Sequence, residues 1–372
     1  MSSGVVKRVG RVIIVRVSIV SGQNAIVHLP DETSALSFST GTFPILREDT
    51  FRPGCHCLPG VLTALCNDIV RWKSERELDR LPVSPPPWIE LMSLLTQSPW
   101  LHERSWPSIR EYLAHDDLVL VPVGATEQHG AHAALMLDTG WAIGVSEEVA
   151  RQTGTLAAPP LHYGWSSGHM GYPGCITLSA GTLTTVLVEI CQSLMVHGFR
   201  KFVLVNGNRV ANVPPMEIAA TKLRVQHGAL AAVLDVGLVA RREVAAIVGE
   251  DSAGVGHAGD AETSYLLHHR EELVDMSKAV RVPPAAAPET GPAHLLMHLA
   301  GPYGRNSVLL KSTPEEFAAH TATTGGVGGN AAVATRDKGE RIFKSVVENS
   351  VAFVESLRAT HVPPLRNLTT PV

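Results

Sequence analysis

Past residue 100 the sequence predicts an α/β fold with a mostly parallel central sheet covered on both faces. Three observations predict it. Short, continuous apolar runs recur at "LVLVPVG" (118–124), "TLAAPPLHYG" (155–164), "KFVLVNGN" (201–208) and "LAAVLDVGLV" (230–239), as expected of strands buried on both faces. Segments with apolar residues at three- and four-residue steps separate these runs, and strands alternating with helices imply parallel pairing. The polar stretches "GATEQHG", "HYGWSSGH" and "NGNRVAN" fall beyond the carboxyl ends of the runs, where such folds bind ligands.

The elements follow in order. Residues 1–82 read as short strand-like pieces and loops, with the β-rich "RVIIVRVSIV" and the cysteine-bearing "RPGCHCLPG". The proline-rich "LPVSPPPW" (81–88) cannot continue a helix or a central strand and reads as a linker. Residues 1–100 are therefore an N-terminal accessory segment or, since Met92 follows the linker, an upstream extension of a shorter chain; residues 101–372 form the main domain. A helix is expected to start at about Thr139. In 183–198, Leu183, Val186, Leu187, Ile190, Leu194 and Met195 share one helical face, with Gly198 as the C-cap. Pro214 and Pro215 sit where a helix tolerates proline, at its start. Residues 335–358 give a long amphipathic helix.

Composition excludes several classes. The 372 residues carry 31 basic and 35 acidic side chains, a net charge of −4, which argues against a nucleic-acid binder or a polybasic membrane surface. No apolar run reaches the roughly 18–20 residues of a membrane span. Cys55, Cys57, Cys66, Cys175 and Cys191 are few and odd in number, which suits reduced thiols and a cytoplasmic protein. Lys7, Arg8, Arg11 and Arg16 without an acid faintly suggest a transit peptide, but the same stretch alternates as a strand does.

The chemistry concentrates in "VPVGATEQHGAHAALMLDTG" (121–140). Glu127 and His129 are two apart on a loop leaving the first strand of the main domain, and Asp138 returns as the next helix starts. Carboxylates with imidazole suit zinc, manganese or iron, and a carboxylate can join two ions. Spacing alone equally allows Asp138 as a helix N-cap with exposed loop polars around it.

"PVGATEQHGAHAALMLD" resembles the signature of the creatininase (creatinine amidohydrolase) family. "HYGWSSGHMGYPGCITL" (162–178), "HGFRKFVLVNGN" (197–208), "GHAGDAETS" (256–264) and "GGVGGNAAVATRDKGERIF" (325–343) agree with it in order, over about residues 104–360. The resemblance implies a three-layer α/β/α sandwich. It also implies a metal-dependent hydrolase of small molecules holding one or two divalent ions per chain, and a homo-oligomer, often a hexamer. Glu127, His129 and Asp138 match family ligands, Asp138 as the bridge; Glu262 matches a ligand or general base and His257 a catalytic acid or base. Trp165 and His169 match pocket-lining positions, and His132 would orient its neighbours by hydrogen bonds.

One position departs from the pattern. Asn208 stands where the family has a ligand histidine, and Val210 where some members place a carboxylate. An amide oxygen is a weaker, harder donor, so the site holds one metal, or a harder ion such as manganese, or Glu262 fills the gap. Asn208 and Arg209 then face the substrate, Arg209 as a planar donor for carboxylate, enolate or polyol oxygens; Arg209 reads equally as a surface ion pair. The leading function is opening of a cyclic amide or related ring carbonyl by metal-activated water. The alternatives are carbon–carbon ring opening of a cyclic keto-polyol of the inosose type, and a non-catalytic relative that binds a small molecule. Cys175 reads as a small buried residue, "CHC" as a poor zinc motif, and "GGVGGN" (325–330) as a flexible loop.

Overall fold

A computed structural model describes residues 16–21, 24–28, 35–39, 98–209, 211–249, 256–282 and 313–368, and the chain divides into two compact units, Met1–Gln97 and Ser98–Val372. In the first unit β1 (Arg16–Ser21), β2 (Asn24–His28) and β3 (Ala35–Ser39) form an antiparallel sheet in chain order, with Val17 opposite Val27 and Ala25 opposite Phe38. β1 falls in the apolar run read as a strand. The proline-rich 81–88 stretch and Cys55, Cys57 and Cys66 lie outside the described residues, as does Val210.

The second unit is built on four parallel strands, β4 (Leu118–Val123), β5 (Leu156–Ala157), β6 (Lys201–Asn206) and β7 (Leu230–Asp235), in the order β5-β4-β6-β7. Alternate residues of a strand face opposite sides, and here both sides are apolar. Leu118, Leu120, Val203 and Val205 join one core cluster; Val119, Val121, Val123, Phe202 and Leu204 join another. Each such side chain contributes roughly 1.5–3 kcal/mol by leaving water. The first cluster is closed by helices α2 (Leu137–Thr153), α5 (Arg241–Val248), α6 (Asp260–His269) and α8 (Arg336–Arg358). The second is closed by α1 (Trp106–Leu113), α3 (Ala180–His197) and α4 (Val213–Lys222). The result is the three-layer α/β/α sandwich that the sequence implied. A short α7 (Pro314–His320) contributes to neither core cluster. No helix among the described residues is long and apolar enough to cross a membrane.

Boundaries differ from expectation where local chemistry decides them. The 155–164 run yields only two ladder residues, because Pro159 and Pro160 have no N–H to donate. The chain still tracks β4, since Gly124 N donates to Leu161 O at 2.9 Å and Leu161 N to Pro122 O at 2.9 Å. α2 starts at Leu137 with Met136 in the cap position, so Asp138 lies inside its first turn and is not an N-cap. α3 starts at Ala180, where the Ser179 hydroxyl accepts from Thr182 N, and ends at Gly198 with φ 116°. α4 carries Pro214 and Pro215 in its first turn, and Thr335 caps α8 by accepting from Lys338 N.

Backbone contact sets the start of α2 on the strand ends. A Cβ on Gly124 would lie 2.3 Å from Thr139 Cα, and one on Gly207 would lie 1.9 Å from Asp138 O. Only glycine admits that approach, and the approach delivers the Asp138 side chain to the sheet's carboxyl edge. Gly207→Ala should therefore destabilise the fold by about 1–3 kcal/mol through forced displacement of α2. Chemical denaturation measures it, and an unchanged midpoint would contradict the packing described.

Candidate metal centre

Register gathers the site. Val123, Asn206 and Asp235 are aligned across the sheet, so the segments leaving β4, β6 and β7 start side by side. The loop after β4 carries Glu127 and His129, both buried, and α6 brings Glu262 from the other side. Lys338 on α8 donates to the fully buried Asp260 at 2.7 Å, which fixes α6 two residues before Glu262.

His129 has an unusual environment. Its Nδ1 lies 3.1 Å from Glu127 O, and a carbonyl can only accept, so that nitrogen carries the hydrogen. In the neutral ring Nε2 is then a bare lone pair. It faces Asp138 Oδ1 at 3.2 Å and Glu262 Oε2 at 3.7 Å, and it is buried with no hydrogen-bond partner among the described residues. Three acceptor atoms cannot converge in a buried pocket unless a proton or a cation stands among them. Glu127 adds to the set. Its Oε2 is buried and has no hydrogen-bond partner among the described residues, and its Oε1 lies 3.6 Å from both His169 Nε2 and His257 Nδ1. Glu127, His129 and His257 each offer a ligand atom within 4.8 Å of the others.

Electrostatics agrees with geometry. Burial, then the neighbouring Asp138 charge, pushes Glu127 up to about 8. Burial pushes Asp138 to about 7 against the hydrogen bond from Asn208, and Glu262 to about 7 against the pull of His129. Burial also holds His132 and His169 down at about 4 and His257 well below its usual value, which keeps these imidazoles neutral, the metal-binding form. Imidazole and carboxylate together fit zinc, manganese or iron.

The structure brings Glu127, His129, Asp138, His169, Asn208, His257 and Glu262 together. Asn208 is buried and donates from Nδ2 to Asp138 Oδ2 at 3.0 Å. Three expected residues stand apart. Trp165 is half-buried against the second core cluster, with its backbone N donating to Asn212 Oδ1 at 2.8 Å. His132, expected to orient its neighbours by hydrogen bonds, contacts Thr263 Oγ1 in the first turn of α6 at 3.0 Å and lies outside the ligand cluster. Arg209 is half-buried beside Asp235, whose carboxyl burial pushes to about 6 despite the Asn206 hydrogen bond and that guanidinium.

Several contributors were not anticipated. Gln128 accepts from Gly130 N at 2.8 Å and donates to Gly326 O at 3.0 Å, while its backbone O receives His257 Nε2–H at 2.7 Å. That last bond leaves His257 Nδ1 as the lone pair facing Glu127. Asn212, fully buried, links Trp165 N to Gly124 O. The Phe317 ring of α7 lies 4.6 Å from the His169 ring, tilted by 52°; the capping box Thr313-Pro314-Glu315-Glu316 was the readable signal for that helix. Ala258 holds φ 54°, rare for a residue with a Cβ, and its N–H donates to Glu262 Oε2 at 2.6 Å. The glycine-rich 325–330 stretch is packed onto the site and is not a free loop. Val327 is buried, and Gly328 N donates to His257 O at 2.8 Å. Cys175 is a buried thiol that accepts from Gln128 N at 3.1 Å.

A family model described as "Creatininase: Creatinine amidohydrolase" matches residues 102–354. Creatinine amidohydrolase of Pseudomonas putida is 30% identical over 272 residues, covering 68% of this chain and 95% of its own length. A mycofactocin precursor peptide peptidase of Mycobacterium ulcerans is 30% identical over 257 residues, with 67% and 84% covered. A 3-dehydro-scyllo-inosose hydrolase of Thermotoga maritima is 37% identical over 111 residues, 30% of this chain and 36% of its own length. A crystal structure of creatinine amidohydrolase superposes with a TM-score of 0.58 at 27% identity, covering 72% of this chain and all of the other. Related creatininase structures are described as a mutant of "Zn-Zn type" and as "Creatininase Mn", with TM-scores of 0.58 and 0.57.

Proposed function

The chain belongs to the creatininase family and is a metal-dependent hydrolase, and from that premise we propose that it opens a cyclic amide by hydrolysis at a ring carbonyl. The observation that carries the reading is the bare Nε2 of His129 aimed at two buried carboxylate oxygens. Glu127, His129, Asp138 and Glu262 would hold the divalent ion. Such an ion lowers the pKa of water toward roughly 7 and polarises a carbonyl oxygen.

The chain's own residues handle the protons. A proton carrier must reach the substrate, and His257 is the more open of the histidines, with 22% of its side chain exposed against 0% for His129. Its Nε2–H is held by Gln128 O, so Nδ1 takes the proton that the attacking water loses and returns it to the leaving nitrogen. Glu127, 3.6 Å from that nitrogen, steadies the charged ring. His169 closes the same side under Phe317. His257→Gln should lower kcat by about 10²–10³-fold while leaving bound metal unchanged. Loss of metal from that variant would make His257 a ligand and end its role as carrier.

A second reading is favoured by Asn208 in the histidine position and by the 37% identity to the inosose hydrolase. In it water adds to a ring ketone of a polyol, the adjacent carbon–carbon bond breaks to leave a carboxylic acid, and the released carbon takes up a proton. A hydrolysis screen of metal-supplemented protein separates the two. It sets cyclic amides, creatinine included, against cyclic keto-polyols and follows carboxylate release. Turnover of a cyclic amide is expected. Turnover of the polyols alone would move the assignment, and turnover of neither would remove both. The chain would act as a homo-oligomer, a hexamer on family grounds, in the cytoplasm; the free, buried Cys175 and Cys191 suit a reducing compartment.

A further inference from the structure

We propose that the centre takes one cation per chain, and that Asn208 is the residue that limits it to one. The inference rests on the metallohydrolase reading above and specifies its centre.

The orientation of the Asn208 amide is fixed by its neighbours. A backbone N–H can only donate, and Ala211 N lies 3.1 Å from Asn208 Oδ1. The oxygen therefore faces Ala211 and the NH₂ faces Asp138 Oδ2, 3.0 Å away. The residue cannot swing aside, because Asn206 grips its backbone from both ends. Asn208 N donates to Asn206 Oδ1 at 3.1 Å, and Asn206 Nδ2 donates to Asn208 O at 2.7 Å and to Asp235 Oδ2 at 3.0 Å.

The two oxygens of Asp138 thus have separate tasks. Oδ1 faces His129 Nε2, whereas Oδ2 is occupied by an N–H donor. A carboxylate joins two cations only when an oxygen is open to each, and an amide NH₂ presents positive charge where a second cation would stand. Asn208 supplies no lone pair to that place either, since its own oxygen is spent on Ala211. With His257 assigned to proton transfer, what remains is Glu127, His129, one oxygen of Asp138 and Glu262. That set satisfies one ion of about four to six ligands with water, and falls short of two. One ion held there would supply both activation of the water and polarisation of the carbonyl.

The test counts ions. Full-length protein is stripped with a chelator, reloaded with Mn(II) or Zn(II), desalted, and analysed by mass spectrometry for metal, with electron paramagnetic resonance on the manganese form. About one ion per chain and an uncoupled Mn(II) spectrum are expected. About two ions, or an exchange-coupled spectrum, would overturn the inference. Asn208→His and Asn208→Asp each replace the N–H donor by a lone pair, and each should raise the count to about two. The aspartate keeps the shape of asparagine and guards against misfolding of the histidine variant. Folded variants that stay at one ion would overturn the role given to Asn208. Occupancy below about 0.2 in the parent protein would instead remove the metallohydrolase reading itself.

Discussion

His129→Ala should empty the centre and lower kcat/KM by about 10³-fold or more. The imidazole is the residue around which the set is organised, fully buried with Nε2 pointing at Asp138 and Glu262. Deleting it leaves carboxylates alone, a donor set closer to magnesium or calcium sites than to zinc. An ion that polarises a carbonyl is worth several kcal/mol of transition-state stabilisation, and each 1.36 kcal/mol is about a factor of ten. The stripped variant should melt no lower than the stripped parent by more than the small cavity requires, because the deletion also removes a lone pair opposed to two carboxylates. Metal analysis together with kinetics on a confirmed substrate tests this. Retained metal with retained turnover would place the centre elsewhere.

The second large effect concerns the metal-free protein and pH. Glu127, Asp138 and Glu262 are pushed up to about 8, 7 and 7, so the folded chain holds protons there that the unfolded chain has released by about pH 5. Where the folded state binds more protons, stability falls as pH rises. The depressed histidines act in the opposite direction, but only below about 6.5, where the unfolded rings become charged. The window free of that opposition is pH 6.5 to 8.5. Across it the stripped protein should lose about 2–4 kcal/mol, or on the order of 5–10 °C in Tm, allowing for interaction among the three groups. Loaded protein should stay nearly level, because the cation replaces the protons. Thermal melts with and without chelator measure the gap. A stripped protein that grows more stable from pH 6.5 to 8.5 would show that the carboxyls are not crowded as described.

The layered sheet was legible in the sequence because β4 and the Phe202–Val205 stretch of β6 are continuously apolar and bounded by polar residues, a pattern that local physics produces alone. The α3 and α8 boundaries were nearly legible for the same reason, through Gly198 and Thr335. β5 was overread, since apolar character outweighed the missing donors of Pro159 and Pro160. At the site, Glu127, His129 and Asp138 announced themselves by residue type and spacing. Gln128 did not. Its value lies in bonds to Gly326 and His257, more than a hundred positions away, and no window of sequence contains them. Phe317 was missed although its helix start was written in Thr313 and Glu316. Trp165 is half-buried and packs against the second core cluster, a tertiary contact that no motif states.

The backbone contact of Gly124 and Gly207 with α2 has a mechanical consequence. Side chains as far apart as Glu127, Asp138 and Glu262 meet only in the assembled fold, so no isolated fragment of the chain can own the centre. A cation seated there would act as a staple across distant segments, much as a disulfide would. Loosening for turnover and loosening toward collapse are then opposed by the same few bonds.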